Sequence, residues 1–138
     1  MLKDCSSVPF LFVVACALVD ARGKILLTQR PANKDFAHMY EFPGGKREIG
    51  ESAEEALIRE LKEELDIKVF EKDLEFFALS QYRYPHFQLF MPLYICRNYQ
   101  GEISPCEGQN YVWVAPQDLF SYEMPPADLV FLPKLARL

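Results

Sequence analysis

RELKEEL, Arg59 to Leu65, sets Glu60, Glu63 and Glu64 within little more than one helical turn of a chain whose formal net charge is already -5. Steps of three and four residues bring all three carboxylates to one helix face, where like charges repel by roughly 0.2–0.5 kcal/mol per pair. Such a face calls for a cation. The helix itself is legible: Ser52-Ala-Glu-Glu55 has the form of a capping box, which starts a helix just after Ser52 and lets it run to Leu65. Leu57, Ile58, Leu61 and Leu65 make its core stripe, while Ala53 and Ala56 fall beside the acids and leave room for a ligand.

Working outward, Phe10–Val19 (FLFVVACALV) and Lys24–Gln29 (KILLTQ) flank the turn signal Asp20-Ala-Arg-Gly23 and read as two adjacent strands, the first buried on both faces. The first run also has the look of a signal-peptide core. Lys3 is offset by Asp4, however, and the run is short for a membrane span and ends in a turn, so it is read as a strand. Residues 31–39 (PANKDFAHM) form a loop, Tyr40–Phe42 a short strand, and Gly44 and Gly45 permit close backbone approach. Leu74–Tyr84 and Phe87–Tyr99 read as a hairpin turning at Pro85-His86, Tyr111–Val114 as a strand and Pro116–Phe120 as a helical turn. Ala127–Leu138 reads as a closing helix. Because Pro133 is comfortable only in a first turn, that helix starts between Leu129 and Leu132, with Asp128 at its mouth.

The length of 138 residues suits one domain, 1–138, able to bury a core without staples. An acidic balance, with 20 acids against 15 bases, argues against wrapping a nucleic-acid duplex, which needs a basic face. A small anionic ligand that brings metal ions is compatible. Cys5, Cys16, Cys96 and Cys106 show no C-x-x-C spacing, so free thiols in a reducing cytosol are expected. The expected protein is cytoplasmic, away from membranes, and a monomer.

From Gly45 the chain reads G, five residues, Glu51, seven residues, then Arg59-Glu60-Leu61-x-Glu63-Glu64-x-Asp66-Ile67. This resembles the Nudix box, G-x5-E-x7-R-E-U-x-E-E-x-G-U, with one departure across its 23 residues: Asp66 stands where the family has Gly. TQR (Thr28–Arg30), EFPGGK (Glu41–Lys46), CEGQ (Cys106–Gln109) and PPAD (Pro125–Asp128) are similar to the MutT branch, which sanitises the nucleotide pool. The resemblance implies an α/β Nudix fold, a mixed β-sheet between helices (α/β/α).

It also implies roles. Glu60, Glu63 and Glu64 would be catalytic and would ligate Mg2+, or Mn2+ in its place, with the Gly44 carbonyl and Glu107 completing the site. Water would attack the β-phosphorus of a nucleoside triphosphate, activated by one of the acids or as a metal-polarised hydroxide, releasing monophosphate and pyrophosphate. Arg30 and Lys46 would hold phosphate oxygens, Glu41 and Phe42 would line the substrate site, and Gly45, Glu51 and Arg59 would be structural. On this account the cation that RELKEEL awaits is Mg2+.

Blander readings apply residue by residue. Glu107 alone is a surface charge, His38 and His86 are loop or pocket-edge residues, and Trp113 and the aromatic hairpin are core, with one or two rings able to stack on a base. Asp128 serves either as an N-cap or as a base reader whose ionised carboxylate spans guanine's N1–H and 2-amino group. The leading substrate is 8-oxo-dGTP or 8-oxo-GTP, in a role that protects DNA replication. Alternatives are pyrimidine triphosphates of the CTP type, dinucleotides, or nucleotide binding without turnover.

Overall fold

The computed structural model describes residues 8–138; Lys3, Asp4 and Cys5 lie outside them. Its elements are β1 (Phe10–Leu18), β2 (Ile25–Gln29), β3 (Tyr40–Glu41), β4 (Gly44–Lys46), α1 (Ala53–Leu65), β5 (Leu74–Arg83), β6 (Gln88–Cys96), β7 (Tyr111–Val114), α2 (Pro126–Leu129) and α3 (Leu132–Leu135). They form two sheets: a mixed one in the order β4-β1-β6-β5, with β1 parallel to β6, and an antiparallel one in the order β3-β2-β7.

Strand periodicity explains the layers. Alternate side chains of β1 point to opposite faces: Val14, Cys16 and Leu18 pack beneath α1 with Leu57, Leu61 and Leu65, while Ala15 and Ala17 join Phe131, Leu132 and Leu135 on the other side. β2 divides likewise, with Leu26 facing the α1 layer and Ile25 and Leu27 the layer of α2 and α3. Helices therefore cover both faces, the α/β/α arrangement that the resemblance implied.

The turn between β1 and β2 forms as its residues dictate: the Asp20 carboxylate accepts the Arg22 and Lys24 N–H groups at 2.9 and 2.8 Å. The strands are nevertheless not neighbours in one sheet. After a single bridge between Val19 and Ile25 they part, because β1 has β4 on one edge and β6 on the other. β4 was hidden in the sequence, glycine being a poor strand former.

α1 begins at its capping box, with Ser52 Oγ accepting the Glu55 N–H at 3.0 Å and Glu55 Oε1 accepting the Ser52 N–H at 2.9 Å. Its buried face includes Ala56, while Ile58 is only half-buried, so the space expected beside Ala56 is filled by core. The helix ends at Asp66 in the left-handed conformation (φ 57°, ψ 38°), and the Asp66 carboxylate pairs with Lys62 Nζ at 2.6 Å in an exposed contact. Glycine would relieve the left-handed strain and remove a negative charge from the helix C-terminus, while losing a weak surface ion pair. Asp66→Gly is expected to raise stability by about 0.5 kcal/mol with turnover unchanged; a thermal melt and a rate assay check both.

The closing helix is split in two. In one continuous helix Pro133 could not donate to the Leu129 carbonyl, so the chain breaks after Leu129 and restarts with Pro133 in the first turn of α3. Asp128 consequently lies inside α2, whose N-cap is Pro125, and is not a cap. Cys16, Cys96 and Cys106 are free thiols, the first two buried. Among the described residues no helix is long and apolar enough to cross a membrane.

Candidate active site

Part of the cation that RELKEEL calls for is supplied from within. Arg59 grips Glu51 with two prongs, Nε to Oε2 at 2.7 Å and Nη2 to Oε1 at 2.9 Å, and Nη1 reaches Glu60 at 3.1 Å and Glu63 at 3.2 Å. Nη2 also donates to the Lys46 carbonyl at 3.1 Å, tying α1 to β4. The Glu51 carboxyl is pushed down to about 2, first by the Arg59 hydrogen bonds and then by the Glu48 N–H. Neither guanidinium contact extends to Glu64.

Glu64 is the acid left uncompensated. Its Oε1 accepts the Gly44 N–H at 3.1 Å, yet burial, followed by the charges of Glu41, Glu60 and Glu107, pushes it up to about 8. Glu60 is also raised, chiefly by burial. Its carboxylate lies directly over Gly45, where any Cβ would collide with it. Glu107 arrives from a loop pinned to the end of α1: the Ser104 N–H donates to the Leu65 carbonyl and the Cys106 N–H to the Glu64 carbonyl, both at 2.9 Å. These bonds occupy carbonyls that a helix C-terminus leaves unpaired.

The chemistry of this donor set suits a hard divalent ion. It consists of carboxylates and backbone oxygen, and no Cys or His lines the cavity they rim. Among the described residues no three His, Cys, Asp or Glu side chains close on one point. Glu60 and Glu63 are instead turned toward Arg59, and Glu64 toward Gly44 N–H, the donors at hand.

The acids form one end of a cavity of about 960 Å³ that also takes in Gly44, Gly45, Lys46, Glu107, Arg30, Glu41, Phe42 and Asp128. Glu51 and Arg59 stay behind it. Arg30, expected as a phosphate donor, commits Nη1 to Glu41 at 2.7 Å and Nε to the Asp35 carbonyl at 2.6 Å. The Glu41 carboxyl is raised by burial, an effect that Arg30 opposes. Phe42 packs edge-on against Phe131, and its N–H donates to Asp128 Oδ2 at 3.3 Å.

Asp128 corrects the sequence expectation most. It is 7% exposed, and burial, then the Glu41 charge, pushes its carboxyl up to about 8. A carboxyl raised in this way favours its protonated form, which offers one donor and one acceptor where the ionised form offers only acceptors. The far wall is aromatic and aliphatic: Phe36, Tyr84, Phe87, Leu89 and Met91. Sequence periodicity assigns such residues to core and carries no signal that a cavity ends on them. His38 and His86 lie outside the cavity lining, in the loop and the hairpin turn, and Trp113 packs against the α1 layer.

Fold and site find their counterparts among known proteins. A solution structure of the Escherichia coli ORF135 protein superposes with TM-score 0.78 at 35% identity, covering 96% of this chain and 91% of that one. A MutT structure from a study of Aliivibrio salmonicida and Vibrio cholerae gives 0.79 at 30% identity, covering 93% and 98%. The NUDIX domain model matches residues 9–135, and the chain belongs to the Nudix family as a Nudix hydrolase of the MutT-like kind. Family members generally use divalent metal cations. Curated relatives include the CTP pyrophosphohydrolase of Escherichia coli K12, 37% identical over 86% of this chain and 87% of its own length. The 8-oxo-dGTP diphosphatase of Haemophilus influenzae is 38% identical over 82% of each chain.

Proposed function

We propose that the protein is a Mg2+-dependent nucleoside triphosphate pyrophosphohydrolase of the MutT type, a single Nudix domain acting as a cytoplasmic monomer on oxidised guanine nucleotides. The observation that carries this reading is one cavity lined by two chemically different groups, the acids of α1 and the rings Phe36, Tyr84 and Phe87, with Asp128 in the same lining. A triphosphate fits the first only with cations between like charges, and a base fits the second. Relatives named 8-oxo-dGTP diphosphatase support the oxidised guanine.

Glu60, Glu63, Glu64, Glu107 and the Gly44 carbonyl would hold Mg2+, or Mn2+ in its place. The bound ion supplies charge neutralisation and Lewis acidity. One of the glutamates takes the proton of the attacking water, and Lys46 at the cavity lip orients phosphate oxygens as a charge-assisted donor. Arg59 positions Glu60 and Glu63 while it fastens Glu51. Asp128 reads the Watson–Crick edge of the base.

A protonated Asp128 supports a second reading. One donor beside one acceptor matches the O6/N1–H edge of guanine but equally the N3/N4 edge of cytosine and the N1/N6 edge of adenine, so a protonated Asp128 does not single out guanine. Pyrimidine triphosphates of the CTP type are therefore the alternative substrates, in keeping with the relative named CTP pyrophosphohydrolase. Catalytic efficiencies on a panel of normal and oxidised triphosphates decide between them. Asp128→Ala is expected to erode discrimination among bases by roughly 1–3 kcal/mol, whereas Asp128→Asn, which keeps a donor beside an acceptor, is expected to retain the wild-type ranking. An unchanged ranking in Asp128→Ala would remove Asp128 as the base reader.

A further inference from the structure

We infer that Phe36 is a base-stacking residue that contributes affinity for the base without choosing its identity, an inference resting on the proposal that a nucleotide occupies the cavity. Apart from Asp66 at the end of α1, Phe36 and His38 are the only non-glycine positive-φ residues among those described, at φ 57° and 68°. A phenylalanine rarely takes this conformation, which persists only where its surroundings fix it. Here they do. The Arg30 carbonyl accepts the His38 N–H at 3.1 Å, the Met39 carbonyl accepts the Arg30 N–H at 2.8 Å, and the Phe36 carbonyl accepts the Met39 N–H at 3.1 Å. Arg30 Nε adds its bond to the Asp35 carbonyl at 2.6 Å, and Gln29 Nε2 donates to the His38 carbonyl at 2.9 Å.

The strained loop delivers one thing, the Phe36 ring. Its centroid lies 5.4 Å from that of Tyr84, which stands 4.8 Å from Phe87, and the Tyr84 hydroxyl is anchored by the Ala127 N–H at 3.0 Å. All three rings line the same cavity as Asp128, and Tyr84 and Phe87 flank the β5–β6 turn, β5 being the sheet edge opposite β4 and its neighbouring acids. Tyr84 is buried, but Phe36 is only half-buried, so its ring keeps surface to offer a flat ligand. Every base has a π-face, so stacking strengthens binding of all bases alike and leaves choice to groups that reach a base edge.

The test compares Phe36→Ala, Phe36→Gly and Phe36→Tyr on 8-oxo-dGTP, dGTP, dCTP and an abasic deoxyribose 5′-triphosphate. Ala and Gly are expected to raise KM about tenfold for all three nucleotides, with kcat within about twofold and the abasic substrate unaffected. Tyr should behave as wild type, and Gly, free of the left-handed strain, should melt above Ala. Equal losses on the abasic substrate, or an unchanged KM, would overturn the role of Phe36. Calorimetry of metal-free protein with 8-oxo-dGMP separates this failure from failure of the enzyme reading. If wild type turns over no triphosphate yet binds the monophosphate about tenfold more tightly than Phe36→Ala, the stacking role stands and the proposed activity falls. If wild type shows no such preference, the stacking role falls.

Discussion

Glu64→Gln is expected to lower turnover roughly a hundredfold to ten-thousandfold, the range for loss of a positioned acid or base, while raising metal-free stability by on the order of 1 kcal/mol. The two effects share one cause. In the absence of a cation, burial and then the charges of Glu41, Glu60 and Glu107 push the Glu64 carboxyl up to about 8. An unfolded chain releases the same proton near ~4.3. Between these values the folded state binds more protons, so the Glu64 contribution to stability is complete below ~4.3 and is lost as pH rises through about 8. Asp128, also raised to about 8, acts in the same direction. The melting temperature of metal-free protein should therefore fall as pH rises from about 5 to about 8. Mg2+ should reverse the trend by favouring the ionised acid, and Glu64→Gln should flatten it. Near-normal turnover in Glu60→Gln, Glu63→Gln and Glu64→Gln alike would contradict the metal-site proposal.

Gly44→Ala should destabilise the protein by more than about 3 kcal/mol, whereas Gly45→Ala, one residue on, should change stability by less than about 1 kcal/mol. At Gly44 the backbone has φ +156°, and an added Cβ would run into the Val14 carbonyl and the Ala15 Cα of β1. Both are backbone atoms of a central strand and cannot move without opening the β1–β4 pairing. At Gly45 the three atoms nearest the new methyl all belong to the Glu60 carboxylate, the end of a flexible side chain. Glu60 would swing aside, so Gly45→Ala is expected to keep the fold and weaken divalent-ion binding roughly tenfold or more. Urea melts of both variants, with metal titration of the second, check the contrast; equal stability losses would contradict it.

What the sequence revealed and what it hid follow from the range of the interactions. α1 was legible to the residue, because the Ser52–Glu55 capping box and the apolar stripe are encoded within a few positions of one another. β5, β6 and β7 were legible from their apolar runs between turn signals. The separation of β1 from β2 was not, since it depends on β4 taking the β1 edge, and β4 is built on glycines that propensity counts against. The break between α2 and α3 was half visible: Pro133 signalled a helix start, but not that Pro126 would open a separate turn upstream. At the site, box spacing brought Glu51, Arg59 and the three acids into register. It could not show that Arg59 would hold Glu60 and Glu63 as well as Glu51, that Arg30 would be engaged by Glu41 and Asp35, or that burial would raise the Asp128 carboxyl. Those outcomes depend on burial and on partners up to 86 residues away in the chain, as in the Phe42–Asp128 bond.

The central claim, that the glutamates of RELKEEL hold the cations of a pyrophosphohydrolase, is tested most directly by phosphorus NMR of wild-type protein turning over 8-oxo-dGTP with Mg2+ and with a chelator. The account predicts 8-oxo-dGMP and pyrophosphate in equal amounts with Mg2+, and no products with the chelator. Release of orthophosphate with a nucleoside diphosphate, or turnover that survives the chelator, would contradict it.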